Sequence, residues 1–447
     1  MESNVPPHGI DEAHGMNGDV SVSLFNMMDS LSTALDLINP ALSNHHKLTC
    51  YVTSCIAEEM DVGDDRFNRL FAASILHDIG AIALADRIRL LEFEVRNPHL
   101  HGELGAVLLS KFPPFQEFAP LVKFHHVPWL DGEGLNYKGE PVPIDSHLIH
   151  LADRVAVLIN PAKPVFDQLT GVRDKVAELS GATFVPEMVD AFLEMSRKEV
   201  FWLDFIHRDM VKVLKRKSRL PNMALDLDGL LELSRFYALI IDTRSRFTAT
   251  HSSGVAASVE KLARFAGLDA YQCKKVRIAG YLHDIGKLAV PDAILEKNGK
   301  LDLSEWRTVR SHTYHTFQIL DAVDGLQDVA AWAADHHENL NGDGYPFRHN
   351  EDDLPLESRI LAVADIFTAL SEDRPYRAGM APDEVMKILR DMVDDNKLDA
   401  DVVTLVCDNY PEMESVREGA QITEQVELAD FWERARENLG HDGQVEA

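Results

Sequence analysis

Two short segments concentrate side chains able to hold metal ions: His283-Asp284-Ile285-Gly286-Lys287, and, about fifty residues later, His336-His337-Glu338-Asn339-Leu340-Asn341-Gly342-Asp343-Gly344-Tyr345-Pro346. Adjacent His-Asp and His-His pairs are poor choices for a packed core, because each buried ring nitrogen and carboxylate oxygen must find a partner. A shared cation supplies those partners. Imidazole nitrogen mixed with carboxylate oxygen suits Fe or Mn first, and Zn, Co or Ni after them, better than Mg or Ca, which prefer all-oxygen shells. Two such ions side by side lower the pKa of a water held between them and neutralise a phosphodiester oxygen during in-line attack. Lys287 lies about one helical turn beyond His283, so it projects toward the same cluster as a cation for developing phosphoryl charge.

The ligands of such a centre must come from several elements, and an internal repeat shows which. His77-Asp78-Ile79-Gly80 repeats His283-Asp284-Ile285-Gly286, and counting back 32 residues from each pair lands on His45 and His251. His46 beside His45 leaves that first ligand ambiguous by one position. Further along, His101 heads an HxxxG segment where the second copy has His312, and His125-His126 stands where His336-His337 stands. Asp153 in HLADRVAVL matches Asp365 in LAVADIFTAL, and the segments 181–194 and 396–409 follow their copies alike.

The second copy resembles the HD-GYP family, bacterial metal-dependent phosphodiesterases that open cyclic dinucleotides, within the wider HD superfamily. The likeness runs from about Asp242 to about Leu389, and the motif HHExxxGxGYP is present without a gap. The resemblance implies two transition-metal ions, one held by His251, His283, Asp284 and Asp365, the other by Asp284, His312, His336 and His337, with Asp284 bridging. It implies that Lys287 approaches the scissile phosphate, that Arg374 and Arg377 bind phosphate, and that Tyr345 contacts a base or a partner domain. Phe247 stands where some members place a glutamate for a third metal, which favours two ions. Thr368 and Thr316 stand where relatives often have Asp and Gly, so an altered substrate fit is expected.

The first copy keeps His45, His77, Asp78, His101, His125, His126 and Asp153, a full candidate set for a second metal site. Its chemistry is weaker: Ala81 replaces the lysine, Val127 follows His126, and Trp129-Leu130-Asp131-Gly132-Glu133-Gly134 replaces the GYP segment. A degenerate, regulatory HD domain is expected, acting on the second copy through a helix from about Ala224 to Thr250.

Periodicity supplies the scaffold. Val255, Val259, Leu262 and Ala263 recur on one helical face, as do Leu227, Leu230, Leu231, Leu233 and Leu239, while alternating strand patterns are scarce. The expected architecture is all-α: two tandem HD-type helical bundles joined by a connecting helix. The boundaries are a flexible tail over 1–20, an N-terminal HD domain over 21–220, the HD-GYP domain over 221–411, and an acidic helix or tail over 412–447, with a solvated tail the simpler expectation for the last.

A net charge of −29 argues against DNA or RNA as partner, since that binding relies on Lys and Arg displacing counterions. The basic run Lys212–Arg219 reads as a solvated helix end. Trp306 and Trp332 are candidate stacking residues whose helical spacing favours a core role. No apolar run reaches the roughly 18 residues of a membrane span, and the N-terminus lacks a signal-peptide pattern, so a cytoplasmic address is expected. Four scattered cysteines, Cys50, Cys55, Cys273 and Cys407, form no disulfide framework.

The function implied is metal-dependent hydrolysis of cyclic di-GMP or 3′3′-cyclic GMP-AMP to the linear dinucleotide, with mononucleotides as a further product left open. The alternative is a non-catalytic cyclic-dinucleotide receptor or scaffold whose GYP loop docks a GGDEF-type partner; a homodimer is left open too.

Overall fold

The computed structural model describes residues 22–37, 44–81, 99–219, 224–243, 250–297, 299–373 and 378–439. Phe247, Arg374, Arg377, the 1–20 tail and the Leu220-Pro221 junction lie outside them. The first copy comprises α1 (Leu24–Asp36), α2 (His45–Glu59), α3 (Asp64–Ile75), α4 (His99–Leu109), α5 (Ala119–Lys123) and α6 (Ile144–Leu158). It is closed by α7 (Leu169–Glu178), α8 (Pro186–Met195), α9 (Glu199–Phe205) and α10 (Met210–Lys217). The second copy comprises α11 (Leu227–Asp242), α12 (His251–Phe265), α13 (Ala270–Leu282), α14 (Asp292–Leu295), α15 (Leu303–Asp321), α16 (Gln327–Ala334) and α17 (Leu356–Ser371). It ends with α18 (Pro382–Asp394), α19 (Ala400–Asp408) and α20 (Tyr410–Leu439).

The all-helical expectation holds. Among the described residues, strands occur only as two antiparallel pairs of two-residue segments: β1 (Val22–Ser23) with β4 (Ala224–Leu225), and β2 (Asn136–Tyr137) with β3 (Glu140–Pro141). The β1–β4 pair ties the start of the first copy to the start of the second. The connecting helix is α11, and its hydrophobic face buries Leu230, Leu233 and Leu239 as its periodicity predicts.

The two copies place equivalent elements in equivalent roles. Helices α2 and α12 are each 15 residues long and begin on His45 and His251. The His-Asp pairs follow the ends of α3 and α13, at a turn where the next ligand helix crosses closely. Gly80 and Gly286 allow that crossing, because a Cβ on either would lie 2.0 Å from the His101 carbonyl oxygen or 1.9 Å from that of His312.

The two bundles share one continuous apolar core. Helix α1 packs on both copies, and the expected solvated tail is corrected: α20 is a 30-residue helix that buries Met413, Leu428, Phe431 and Ala435. It lies on α12 and α4 at once, with Lys111 Nζ 2.5 Å from Asp430 and Arg235 2.5 Å from Glu427. An acidic surface helix buries its apolar residues when a neighbouring groove is available. At the end of α10, Arg216, Lys217 and Arg219 pair with Asp204, Glu58 and Asp64, which matches the helix-end reading. Trp332 is buried in the core with Lys275 over its ring, whereas Trp306 is 46% exposed.

Candidate metal centre

The structure brings the second-copy candidate ligands together from five elements. His251 opens α12, His283 and Asp284 follow α13, His312 lies in α15, His336 and His337 follow α16, and Asp365 lies in α17. Their donor atoms fall into two tight groups, His251-His283-Asp365 and His312-His336-His337, each spanning less than 4.8 Å. Asp284 sits between the groups with one oxygen turned to each: Oδ2 is 3.3 Å from His283 Nε2, and Oδ1 is 3.4 Å from His312 Nε2 and 4.0 Å from that of His336. His251 Nε2 lies 3.0 Å from Asp365 Oδ1, and His337 Nδ1 lies 3.9 Å from Asp365 Oδ2.

Orientation of the rings follows a simple local device. His283, His312 and His336 each donate Nδ1–H to the carbonyl three residues earlier, at 2.8 Å (Gly280), 2.6 Å (Val309) and 2.6 Å (Ala333). That bond fixes the tautomer and leaves Nε2 with a lone pair facing Asp284. Burial lowers the His312 pKa to about 3 and pushes His336 and His337 down too, so all three imidazoles are neutral near pH 7 and ready to ligate. For His251, burial opposes the charge, yet the carboxylates of Glu372 and Asp365 raise its pKa to about 10. Burial also opposes ionisation of Asp284, and His283 and Lys287 beside it hold its carboxyl well below the usual range.

Asp284 Oδ1 is buried without a hydrogen-bond partner, facing the imidazoles of His312 and His336. A cation is the group that satisfies such an oxygen together with neutral nitrogens, so the donor set fits the two ions. Lys287 Nζ contacts Asp284 Oδ2 at 2.5 Å with its side chain 22% exposed, and His337 is 32% exposed. The centre is therefore open on the edge that these two residues border. Tyr345 packs against His337 at 5.0 Å between ring centroids, with the Arg310 guanidinium 4.1 Å above its ring.

The structure gives several residues roles that the sequence did not signal. Glu338 accepts backbone N–H groups of Phe347 at 2.7 Å and Arg348 at 3.0 Å, so it braces the GYP loop. Thr316 is buried, donating to the His283 carbonyl at 2.8 Å and accepting from Gly286 N–H at 3.1 Å; Thr368 is buried beside Ser258. Both threonines therefore brace the helices around the site. Most informative is Glu372, whose carboxylate lies 3.2 Å from His251 Nδ1 and accepts 2.9 Å from Gln421 Nε2 on α20. Only its aim at His251, 121 residues away, marks it, and a chain with 73 Asp and Glu gives no local signal for that. Carboxylates behind a ligating histidine typically tune affinity by about 10–100-fold. Glu372→Gln is expected to weaken metal binding by that order while Glu372→Asp recovers part of it, checked by metal titration of stripped protein.

The first copy assembles the same constellation. His45 Nε2 lies 3.4 Å from Asp78 Oδ2 and 3.3 Å from Asp153 Oδ1, and His77 Nε2 lies 3.2 Å from Asp78 Oδ2. His101 and His125 approach Asp78 Oδ1 at 3.3 and 3.5 Å, and His126 lies 3.9 Å from Asp153. His77 and His125 repeat the bond to the carbonyl three residues back. The ambiguity at the first position resolves to His45, because His46 turns its Nδ1 to Asp36 at 2.6 Å.

Comparison with known proteins agrees with this duplication. The HD domain family is matched twice, over residues 42–158 and 235–402. A 3′3′-cGAMP-specific phosphodiesterase of Vibrio cholerae is 32% identical over 403 residues, covering 88% of this chain and 93% of the relative. The chain belongs to the HD-domain metal-dependent phosphohydrolases of the HD-GYP type, with two HD domains in tandem. A crystal structure of a cyclic GMP-AMP-specific phosphodiesterase from V. cholerae superposes with a TM-score of 0.62 at 25% identity, covering 88% of this chain and 98% of the other. A cyclic di-GMP phosphodiesterase of Pseudomonas aeruginosa is 38% identical over 151 residues, covering 33% of this chain and 36% of the relative. No helix among the described residues is long and apolar enough to cross a membrane.

Proposed function

We propose that the second copy hydrolyses one phosphodiester of a 3′3′-linked cyclic dinucleotide, giving the linear dinucleotide, with His251, His283, Asp284, His312, His336, His337 and Asp365 as ligands of two transition-metal ions. The observation that carries this reading is Asp284 standing between two three-residue donor groups, with Lys287 on the exposed edge. Bound there, the ions supply Lewis acidity for activating water and for neutralising the phosphate. The chain's own residues do the rest. Asp284 presents one oxygen to each group. Lys287, held by Asp284, sits where a phosphate entering from the exposed edge meets a fixed positive charge. Arg310 and Tyr345 border the same side, and the stacked pair offers a flat surface to a base.

The receptor alternative has less support, because the ligand set and Lys287 are intact and Tyr345 is engaged with His337 and Arg310, which leaves less of the GYP loop for a GGDEF-type partner. Between substrates, 3′3′-cyclic GMP-AMP is favoured. The two V. cholerae proteins that match over nearly their whole length, both copies included, are named for it, whereas the P. aeruginosa cyclic di-GMP enzyme matches over a third of the chain. The test is anaerobic turnover of both compounds by protein of measured metal content. Faster cleavage of 3′3′-cyclic GMP-AMP supports the assignment, preference for cyclic di-GMP reverses it, and tight binding without cleavage returns the receptor.

A further inference from the structure

The first copy gathers seven metal-type ligands in a place where hydrolysis has no access. His45, His77, Asp78, His101, His125, His126 and Asp153 are each 6% exposed or less. Within this set the Nε2 atoms of His45, His77 and His126 and the Oδ1 atoms of Asp78 and Asp153 are buried with no hydrogen-bond partner. In the second copy, only Asp284 Oδ1 among the described ligands stands in that condition. These orphaned polar atoms belong to overlapping groups, His45-His77-Asp78, His77-His125-Asp153 and Asp78-His101-His125-His126, and are costly unless a cation joins them.

The surroundings then decide what the cation does. Ala81, fully buried, stands where the second copy has Lys287, and Val127, also buried, stands where it has Glu338. Arg154, on the far side of Asp153, donates to Oδ2 at 3.0 and 2.7 Å and so fixes the carboxylate with Oδ1 toward His45. The exposed edge of the second copy, bordered by His337 and Lys287, has as its counterpart His126 with a side chain only 4% exposed. Closed, fully protein-ligated sites are structural, whereas catalytic ones keep a position open to solvent and substrate.

We propose that the first copy holds a closed structural metal site, in which at least one transition-metal ion bound by His45, His77, Asp78 and Asp153, with His101, His125 and His126 beside them, cross-links α2, α4 and α6 and the turns after α3 and α5. This inference goes beyond the hydrolytic reading and does not depend on it. The ligands span five elements over more than a hundred residues of chain, so the ion fastens contacts that are distant in sequence and its binding energy adds to folding.

The experiment uses the full chain with His283→Ala/Asp284→Ala, which breaks the second centre. This variant is expected to keep at least one ion per chain that mild chelation does not remove. Stripping it under partial denaturation and restoring Mn2+ or Zn2+ should raise its melting temperature by roughly 5–15 °C. Adding His77→Ala/Asp78→Ala should abolish both the bound ion and that rise. If the quadruple variant does not fold, the strip-and-restore melting curve of the double variant decides alone. A folded, metal-free double variant with no response to added metal would overturn the proposal, and so would residual phosphodiesterase activity in it, which an enclosed site does not allow.

Discussion

Asp284→Asn is expected to lower turnover of the cyclic dinucleotide by at least roughly a thousandfold, the order reached when a group stabilising transition-state charge is lost. The substitution keeps the shape of the side chain and changes its electrostatics at the most sensitive point. The carboxylate holds His283 at 3.3 Å through one oxygen and His312 at 3.4 Å through the other, so a single atom exchange touches both donor groups. An amide carries no charge to offset two dications, and its NH2 must face either an imidazole nitrogen or Lys287. Metal analysis of the variant should show both ions weakened together, since one residue serves both groups. Loss of one ion with the other retained at full affinity would contradict the bridging position.

Lys287→Ala is expected to behave differently: metal content stays near that of the parent, while kcat falls by about 10^2–10^3-fold, a loss typical of removing one fixed charge-stabilising group. The lysine contacts Asp284 Oδ2 at 2.5 Å from the solvent side of the centre, outside the ring of nitrogen donors. Its loss leaves the ligand set complete. Lys287→Arg should recover part of the rate, because charge is preserved while reach and donor geometry change. Steady-state kinetics with parallel metal analysis checks this, and a variant that loses its metals along with its activity would make Lys287 a support of the centre only.

The ligand frame was legible because its signals are local or periodic. The His-Asp pairs, each 32 residues beyond a preceding histidine, become the turns after α3 and α13 with that histidine opening α2 or α12, and the adjacent His-His pairs follow α5 and α16. The apolar stripes of α11 and α12 likewise follow from helical period. What sequence could not carry is whatever depends on burial and on contacts between distant segments. Glu372 reaches His251 from the end of α17 and is itself held by Gln421 on α20, and no spacing rule links those positions. The exposed edge of the second centre and the closed wall of the first are likewise tertiary properties.

The placement of α20 also changes where communication between the copies should be sought. Sequence pointed to the segment 224–250, yet α20 touches α4, which carries His101, and reaches the carboxylate behind His251. A helix bearing on both constellations is a physical link that substitutions at Lys111 or Gln421 can perturb without touching a ligand.

The most direct test of the central claim is turnover measured against bound metal in chelator-stripped protein reloaded stepwise with Fe2+ or Mn2+ under anaerobic conditions. The account predicts no activity in the stripped protein, activity rising with occupancy of the two donor groups around Asp284, and no recovery by the His283→Ala/Asp284→Ala variant at any metal concentration. Cleavage by the stripped protein, or equal recovery by that variant, would contradict it.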